Sequence, residues 1–214
     1  FNYVTGTNIA HYKGFKSITP RVREALDSME EAVELWMPTD WITRSNARGD
    51  LGFYGRSSRA SYLDTAHASG ASGHYTPLGD GLIDIGRTGS VPSQSTMLHE
   101  VTHRAQRASA LHEELERRWW QRRLDASPLP EQREIRRLQV IDPGRGYKGG
   151  EKAATDEFID NYIGKVYGPD ATGRVSETST MAMEHLAGLP GSRGHALTED
   201  WDMVDWFVGM LAGV

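Results

Sequence analysis

The sequence predicts a soluble domain of the α+β class, with a small mixed sheet, one long central helix and a helical C-terminal half. Three observations lead to this prediction. Short apolar segments interrupted by glycine in the first 85 residues are typical of strands. Apolar residues then recur at steps of three and four from Leu98 to Trp119, which is the spacing of a helix's buried face. A second segment with helical character spans residues 175–186.

Composition limits the classes of protein to which the chain can belong. Its 214 residues suit a single domain, residues 1–214, and 38% of them are hydrophobic, as in ordinary globular proteins. No apolar run approaches the roughly 20 residues that a membrane span requires, so we expect no membrane partner. The net charge of −5 argues against nucleic acid as a partner. With no cysteine present, histidine and carboxylate side chains are the available metal ligands.

The start of the chain indicates a larger parent polypeptide. The first residue is Phe1 rather than methionine, and no signal-peptide pattern follows it. We therefore expect a domain excised or processed from a longer protein. Its localisation stays open between the cytoplasm of a host or target cell, the virion and the extracellular space.

Residues 1–80 are predicted to form an N-terminal helix and edge elements of the fold. Thr19 can cap the helix and Pro20 suits its first turn, while Pro38 ends it. Residues 51–55 have the character of a strand, and the rest of this region carries no continuous pattern. The buried face of the helix is marked by residues at helical spacing, namely Val22, Leu26, Met29, Val33 and Trp36.

Residues 81–125 are predicted to contain an edge strand followed by the central helix. Residues 74–78 and 82–85 flank the turn sequence Gly79-Asp80-Gly81, a pattern that predicts a β-hairpin. The second strand of this hairpin precedes the central helix by about ten residues. An edge strand at that position can pair with an extended peptide substrate.

The central helix carries the sequence His99-Glu100-Val101-Thr102-His103. Residues four apart lie about 40° apart around a helix axis, so the two imidazoles face one side and can reach one Zn²⁺. Glu100 lies beside the first histidine, where its carboxylate can act as general base on a metal-activated water. With 8 His and 15 Glu in the chain, chance produces this spacing about 2% of the time. The alternative is a helix with two solvent-facing histidines and a surface glutamate.

The apolar stripe of this helix predicts a start at Pro92 and Ser93 and an unbroken course to Leu124. Within residues 126–150, a short arginine-rich helix over 131–140 and a glycine-rich loop are then predicted. Alternating glutamate and arginine favours a salt-bridged helical hairpin, and a docking surface for a partner is the alternative.

Two histidines leave a catalytic zinc site incomplete, because such sites normally have three protein ligands. Compact motifs place a third histidine at position 109, which is a serine here, so a glutamate from a later helix is expected. Glu177 is the first choice, since it lies in the first turn of a predicted helix that Ser176 can cap. Glu184 shares the same face and can orient a ligand histidine. Glu157 and Glu184 are the alternative third ligands.

Several segments of the chain together resemble a known family. They are His99-Glu100-x-x-His103, Asp156-Glu157-Phe158, the run from Tyr162 to Gly168 and the run from Glu177 to Glu184. In these segments the chain resembles zincin-like metallopeptidases that occur with phage minor head proteins and in polymorphic bacterial toxins. Residues 202–211 are similar to the closing helix of that family. The arrangement is more distantly similar to anthrax lethal factor.

The resemblance covers about residues 80–214 and implies a zincin-like fold there, with the third-ligand helix and the closing helix within residues 151–214. It implies that His99, His103 and Glu177 hold Zn²⁺. It also implies that a tyrosine shortly before the third ligand donates a hydrogen bond in the transition state. That tyrosine is Tyr167 or, as the alternative, Tyr162.

Motif and resemblance together predict a zinc-dependent endopeptidase of the phage- or toxin-associated kind. Its substrate is expected to be a protein or peptide, which metal-activated water cleaves with Glu100 as general base. Phage head proteins or the parent polypeptide are the expected partners. The alternative is a non-catalytic phage head or interaction module with a structural or vestigial metal site.

Overall fold

The computed structural model describes most of the helical part of the chain and short parts of its N-terminal region. The described residues are 12–13, 20–48, 51–54, 61–63, 82–84, 91–156, 158–167, 177–189 and 199–213. They form a mostly helical structure with small sheets, which is compatible with the predicted α+β class. The chain divides into two compact units, residues 1–108 with 187–192 and residues 109–186 with 193–214. Whether these form the single predicted domain stays a prediction.

In the first unit, the described residues form a four-stranded mixed sheet. Its strands are β1 (Tyr12–Lys13), β2 (Gly52–Tyr54), β3 (Ser61–Leu63) and β4 (Leu82–Asp84), in the order β1-β2-β4-β3. The β1–β2 and β2–β4 pairs are parallel, whereas β3 runs antiparallel to β4. The strands predicted at 51–55 and 82–85 are therefore confirmed.

The predicted edge position of the 82–85 strand is wrong. Strand β4 lies between β2 and β3, so β3 is the outer antiparallel strand among those that the structure describes. Only three residues of β3 are strand, too few to show an alternating pattern in the sequence. The hairpin partner predicted at 74–78 lies outside the described residues.

Two helices of the first unit pack against the central helix. Helix α1 (Pro20–Trp36) has the predicted bounds, and Leu26, Met29 and Val33 of its predicted stripe are buried. Helix α2 (Thr39–Ala47) was not predicted from the sequence. Its nine residues are mostly polar and bury little more than Trp41, so no apolar stripe shows in the sequence.

The predicted single long helix is two helices, α3 (Gln94–Arg107) and α4 (Ala110–Ala126). The Ser93 hydroxyl accepts a hydrogen bond from the Thr96 amide at 3.2 Å, which confirms the predicted start. The chain leaves the helix at Ser109, whose backbone is extended and whose hydroxyl accepts a hydrogen bond from the His112 amide at 3.2 Å. The serine thus caps α4 instead of continuing α3.

The region that follows α4 belongs to the second unit and is not the predicted arginine-rich helix. A 3-10 turn at Pro130–Arg133 leads into strand β5 (Ile135–Arg137) and a four-residue helix α5 (Leu138–Ile141). Antiparallel pairing holds β5 to β6 (Lys152–Ala154), and β6 to β7 (Lys165–Val166). Sheet pairing therefore overrides the local helical pattern of this segment.

The second unit ends in two helices that the sequence predicted, α6 (Thr178–Ala187) and α7 (Trp201–Gly213). The ring of Trp119 on α4 stacks on that of Trp206 on α7, with centroids 4.9 Å apart. None of the helices within the described ranges combines the length and apolar character that a membrane crossing needs.

Candidate metal centre

Helix α3 places the two motif histidines side by side. Its Leu98 and Val101 are buried, and α1 and α2 pack against it, so one face of the helix is fixed by the core of the first unit. The rings of His99 and His103 meet edge to face, with centroids 4.9 Å apart and planes at 85°. This is the neighbouring arrangement that the four-residue spacing predicts.

Two side chains in this part of α3 have polar partners within the helix. The Nδ1 atom of His103 lies 3.4 Å from the amide oxygen of Gln106, a long contact that favours a proton on Nδ1 and leaves Nε2 for a metal. The hydroxyl of Thr102, which precedes the second histidine, donates to the Leu98 carbonyl at 2.8 Å. Its polar group is thereby satisfied within the helix.

Glu177 is held at the start of α6 within the second unit. Its carbonyl accepts the amide of Met181 at 2.9 Å, so it occupies the N-cap position, and only 1% of the residue is exposed. The capping role predicted for Ser176 falls outside the described residues.

Helix α4 fixes that helix start through two buried side chains. The Glu116 carboxylate accepts from the Ser179 amide at 2.9 Å, and a ring nitrogen of His112 lies 2.8 Å from the Ser179 hydroxyl. Sequence reasoning missed these residues. Their four-residue spacing places them on one face of α4, but nothing in the sequence indicates a partner more than sixty residues away.

The three predicted ligands are brought together. One nitrogen from each of His99 and His103 and one carboxylate oxygen of Glu177 all lie within 4.8 Å of one another. Ligands of a tetrahedral zinc at about 2.1 Å are roughly 3.4 Å apart, so small side-chain rotations bring the three atoms onto one ion. Two imidazoles and a carboxylate are a donor set that zinc accepts. The group can therefore hold a metal ion.

The oxygens of Glu177 have different neighbours. Oε1 accepts a hydrogen bond from the hydroxyl of Tyr167 and lies 3.5 Å from the ammonium of Lys165. Oε2 has a 3.4 Å contact with the hydroxyl of Thr180. Lys165 was not predicted, because a lone lysine in a strand gives no signal that it reaches a carboxylate.

The structure distinguishes the two candidate tyrosines. Tyr167, 38% exposed, reaches Glu177, whereas the Tyr162 hydroxyl accepts from Lys165 Nζ at 2.6 Å. Although part of Tyr167 is open to solvent, burial of its hydroxyl raises its pKa well above the usual value, and the Glu177 carboxylate raises it further. The Tyr167 hydroxyl therefore stays protonated at neutral pH and can donate a hydrogen bond.

The remaining predicted residues are placed less completely. Glu100 is buried on α3, and Glu184 is buried on α6, two turns beyond Glu177. Glu157 lies outside the described residues. The predicted roles of these residues, like those of Tyr167 and the three ligands, stay predictions.

Comparison with known proteins adds no further assignment. No protein-family model matches the chain, and no curated protein or solved structure matches it significantly.

Proposed function

We propose that the chain is a zinc-dependent peptide hydrolase of the zincin-like class. The observation that carries the proposal is the convergence of ligand atoms from His99, His103 and Glu177 within 4.8 Å. A buried glutamate, Glu100, is contributed by the same helix turn as the first histidine. Chance seldom combines two histidines, a distant carboxylate and an adjacent acid in this way.

The number of ligands favours a catalytic over a structural site. Structural zinc is almost always closed by four protein ligands, whereas catalytic zinc keeps three and an open position. The described residues offer the three-membered group and no larger one. A non-catalytic phage head module with a structural or vestigial metal is therefore the second candidate function.

The residues of this chain divide the proposed reaction among them. Bound zinc supplies Lewis acidity, which polarises a carbonyl and makes water more acidic. Glu100 accepts the proton of the attacking water and later passes it to the leaving amine. Tyr167 donates a hydrogen bond to the oxyanion after its hydroxyl has turned away from Glu177. Its high pKa keeps that proton available.

The substrate class follows from the same reasoning. Water attack on a polarised carbonyl cleaves amide bonds, and β3, the outer antiparallel strand within the described part of the sheet, lies beside α3. An extended peptide can add to such an edge by backbone hydrogen bonds. A protein or peptide substrate is proposed for this reason, and the resemblance to phage- and toxin-associated domains suggests where it is found.

Reversible zinc dependence of cleavage tests the proposal. We expect the purified chain to cleave an unfolded protein, to stop when a chelator removes zinc, and to resume when zinc is restored. Peptide products are measured by mass spectrometry at each stage. Cleavage that a chelator leaves untouched would contradict a metal-dependent mechanism, and zinc binding without any cleavage would favour the non-catalytic module.

A further inference from the structure

A buried lysine lies at the centre of the polar contacts around Glu177. Lys165 Nζ is 2.6 Å from the Tyr162 hydroxyl, 3.0 Å from Glu151 Oε1 and 3.5 Å from Glu177 Oε1. It also lies over the ring of Tyr167, 4.6 Å from the centroid. An ammonium group has three N–H donors, and three oxygen acceptors surround this one. Acceptors of the protein itself therefore surround the ammonium group of Lys165.

The backbone delivers Lys165 to this position. It opens strand β7 after Gly164, where an added Cβ would lie 2.8 Å from the Phe158 ring and 2.9 Å from the Ala154 carbonyl oxygen. Only glycine permits this close approach of β7 to β6. The strand pair fixes the lysine beside Ala153, its partner in the register.

We propose that Lys165 is a positioning residue for the metal centre, an inference that rests on the proposed function. Together with Tyr167 it engages Oε1 of Glu177 and so leaves Oε2 as the oxygen for the metal. Glu151 is a second carboxylate on the same ammonium and helps to hold it in place. Fixing a ligand through its neighbours is how partners outside the ligand set tune metal sites.

The direction in which zinc affinity changes when the Lys165 ammonium is removed separates a positioning role from a purely electrostatic one. A cation next to a metal ligand repels the metal, so removing it would tighten zinc binding if charge were its only effect. A positioning role predicts the opposite. Loss of a partner that orients a ligand typically weakens metal binding about 10–100-fold.

The experiment measures zinc affinity by competition with a chromophoric chelator in wild type, Lys165→Met and Lys165→Arg. We expect Lys165→Met to bind zinc about 10–100-fold more weakly. Lys165→Arg keeps a charged donor and should recover affinity to within about tenfold of wild type. The visible spectrum of the Co²⁺-loaded protein should also change in Lys165→Met, because its bands report coordination geometry.

Lys152→Met is the matched control. Lys152 is paired with Val166, the neighbour of Lys165 on β7, so its side chain lies on the opposite face of the sheet. This variant removes the same charge from the same sheet and should leave zinc affinity and the cobalt spectrum unchanged.

The outcomes separate this inference from the proposed function. Wild type that binds no zinc contradicts the proposed function itself. Zinc binding that is unchanged or tighter in Lys165→Met, with wild type binding normally, overturns the role of Lys165 alone. If Lys165→Met fails to fold, judged by circular dichroism, Lys165→Gln provides the same comparison, since it removes the charge and keeps N–H donors.

Discussion

Replacing Glu100 by glutamine is expected to abolish most peptide cleavage while leaving zinc binding intact. The substitution is nearly isosteric and removes the carboxylate that accepts the proton of water. General base catalysis is typically worth 10²–10⁴-fold in rate, so cleavage of an unfolded protein should fall by at least about a hundredfold. Glu100 is not among the three converging ligand residues, so the variant should retain its metal.

Glu31→Gln provides the control for this comparison. Glu31 is an exposed residue of α1, and the same chemical change there should leave the cleavage rate as in wild type. Equal rates in wild type and Glu100→Gln, both zinc-loaded, would remove Glu100 from the mechanism.

Replacing Arg123 by alanine is expected to cost about 3–5 kcal/mol of unfolding free energy, the usual effect of breaking a buried ion pair. Arg123 donates to Asp156 at 2.6 Å and also pairs with Asp200. Its side chain is 15% exposed, and those of the two aspartates are 8% and 6% exposed. Its guanidinium also lies 4.8 Å from the Phe158 ring centroid. Alanine leaves two buried carboxylates without this cation.

The control residue lies six positions earlier on the same helix. Arg117 pairs with Glu114, but its side chain is 56% exposed, so solvent screens the pair and Arg117→Ala should change the unfolding free energy much less. Denaturant unfolding with linear extrapolation measures both variants. A loss below about 1 kcal/mol for Arg123→Ala would mean that the network contributes no more than a surface pair.

The features of the candidate metal centre that depend on a single helix could be predicted from the sequence. The four-residue spacing of His99 and His103 sets their common face, and Ser93 marks the start of the helix. Glu177 was predictable as a carboxylate at the start of a later helix. Lys165 was not predictable, because the pairing of β6 and β7 brings it to this position. Tyr167 was predicted through the family resemblance alone.

The errors in the fold prediction share a physical cause. Local sequence patterns do not distinguish between backbone conformations of similar local energy. Tertiary contacts then determine which conformation forms. Ser109 is acceptable inside a helix by propensity, yet here it caps α4. Residues 135–137 lie within the segment 131–140 that was predicted as a helix, yet they pair with β6 as a strand. Helix α2 carries too few apolar residues to show a stripe.

Zinc content of the purified chain, measured by elemental analysis, tests the central claim most directly. We expect about one zinc per chain in wild type, and loss of the metal in His103→Ala and in Glu177→Gln, since either change removes one of three ligands. Glu157→Gln should keep its zinc. Undiminished zinc in His103→Ala would contradict the proposed centre, and loss of zinc from Glu157→Gln with retention in Glu177→Gln would show that the wrong carboxylate has been assigned.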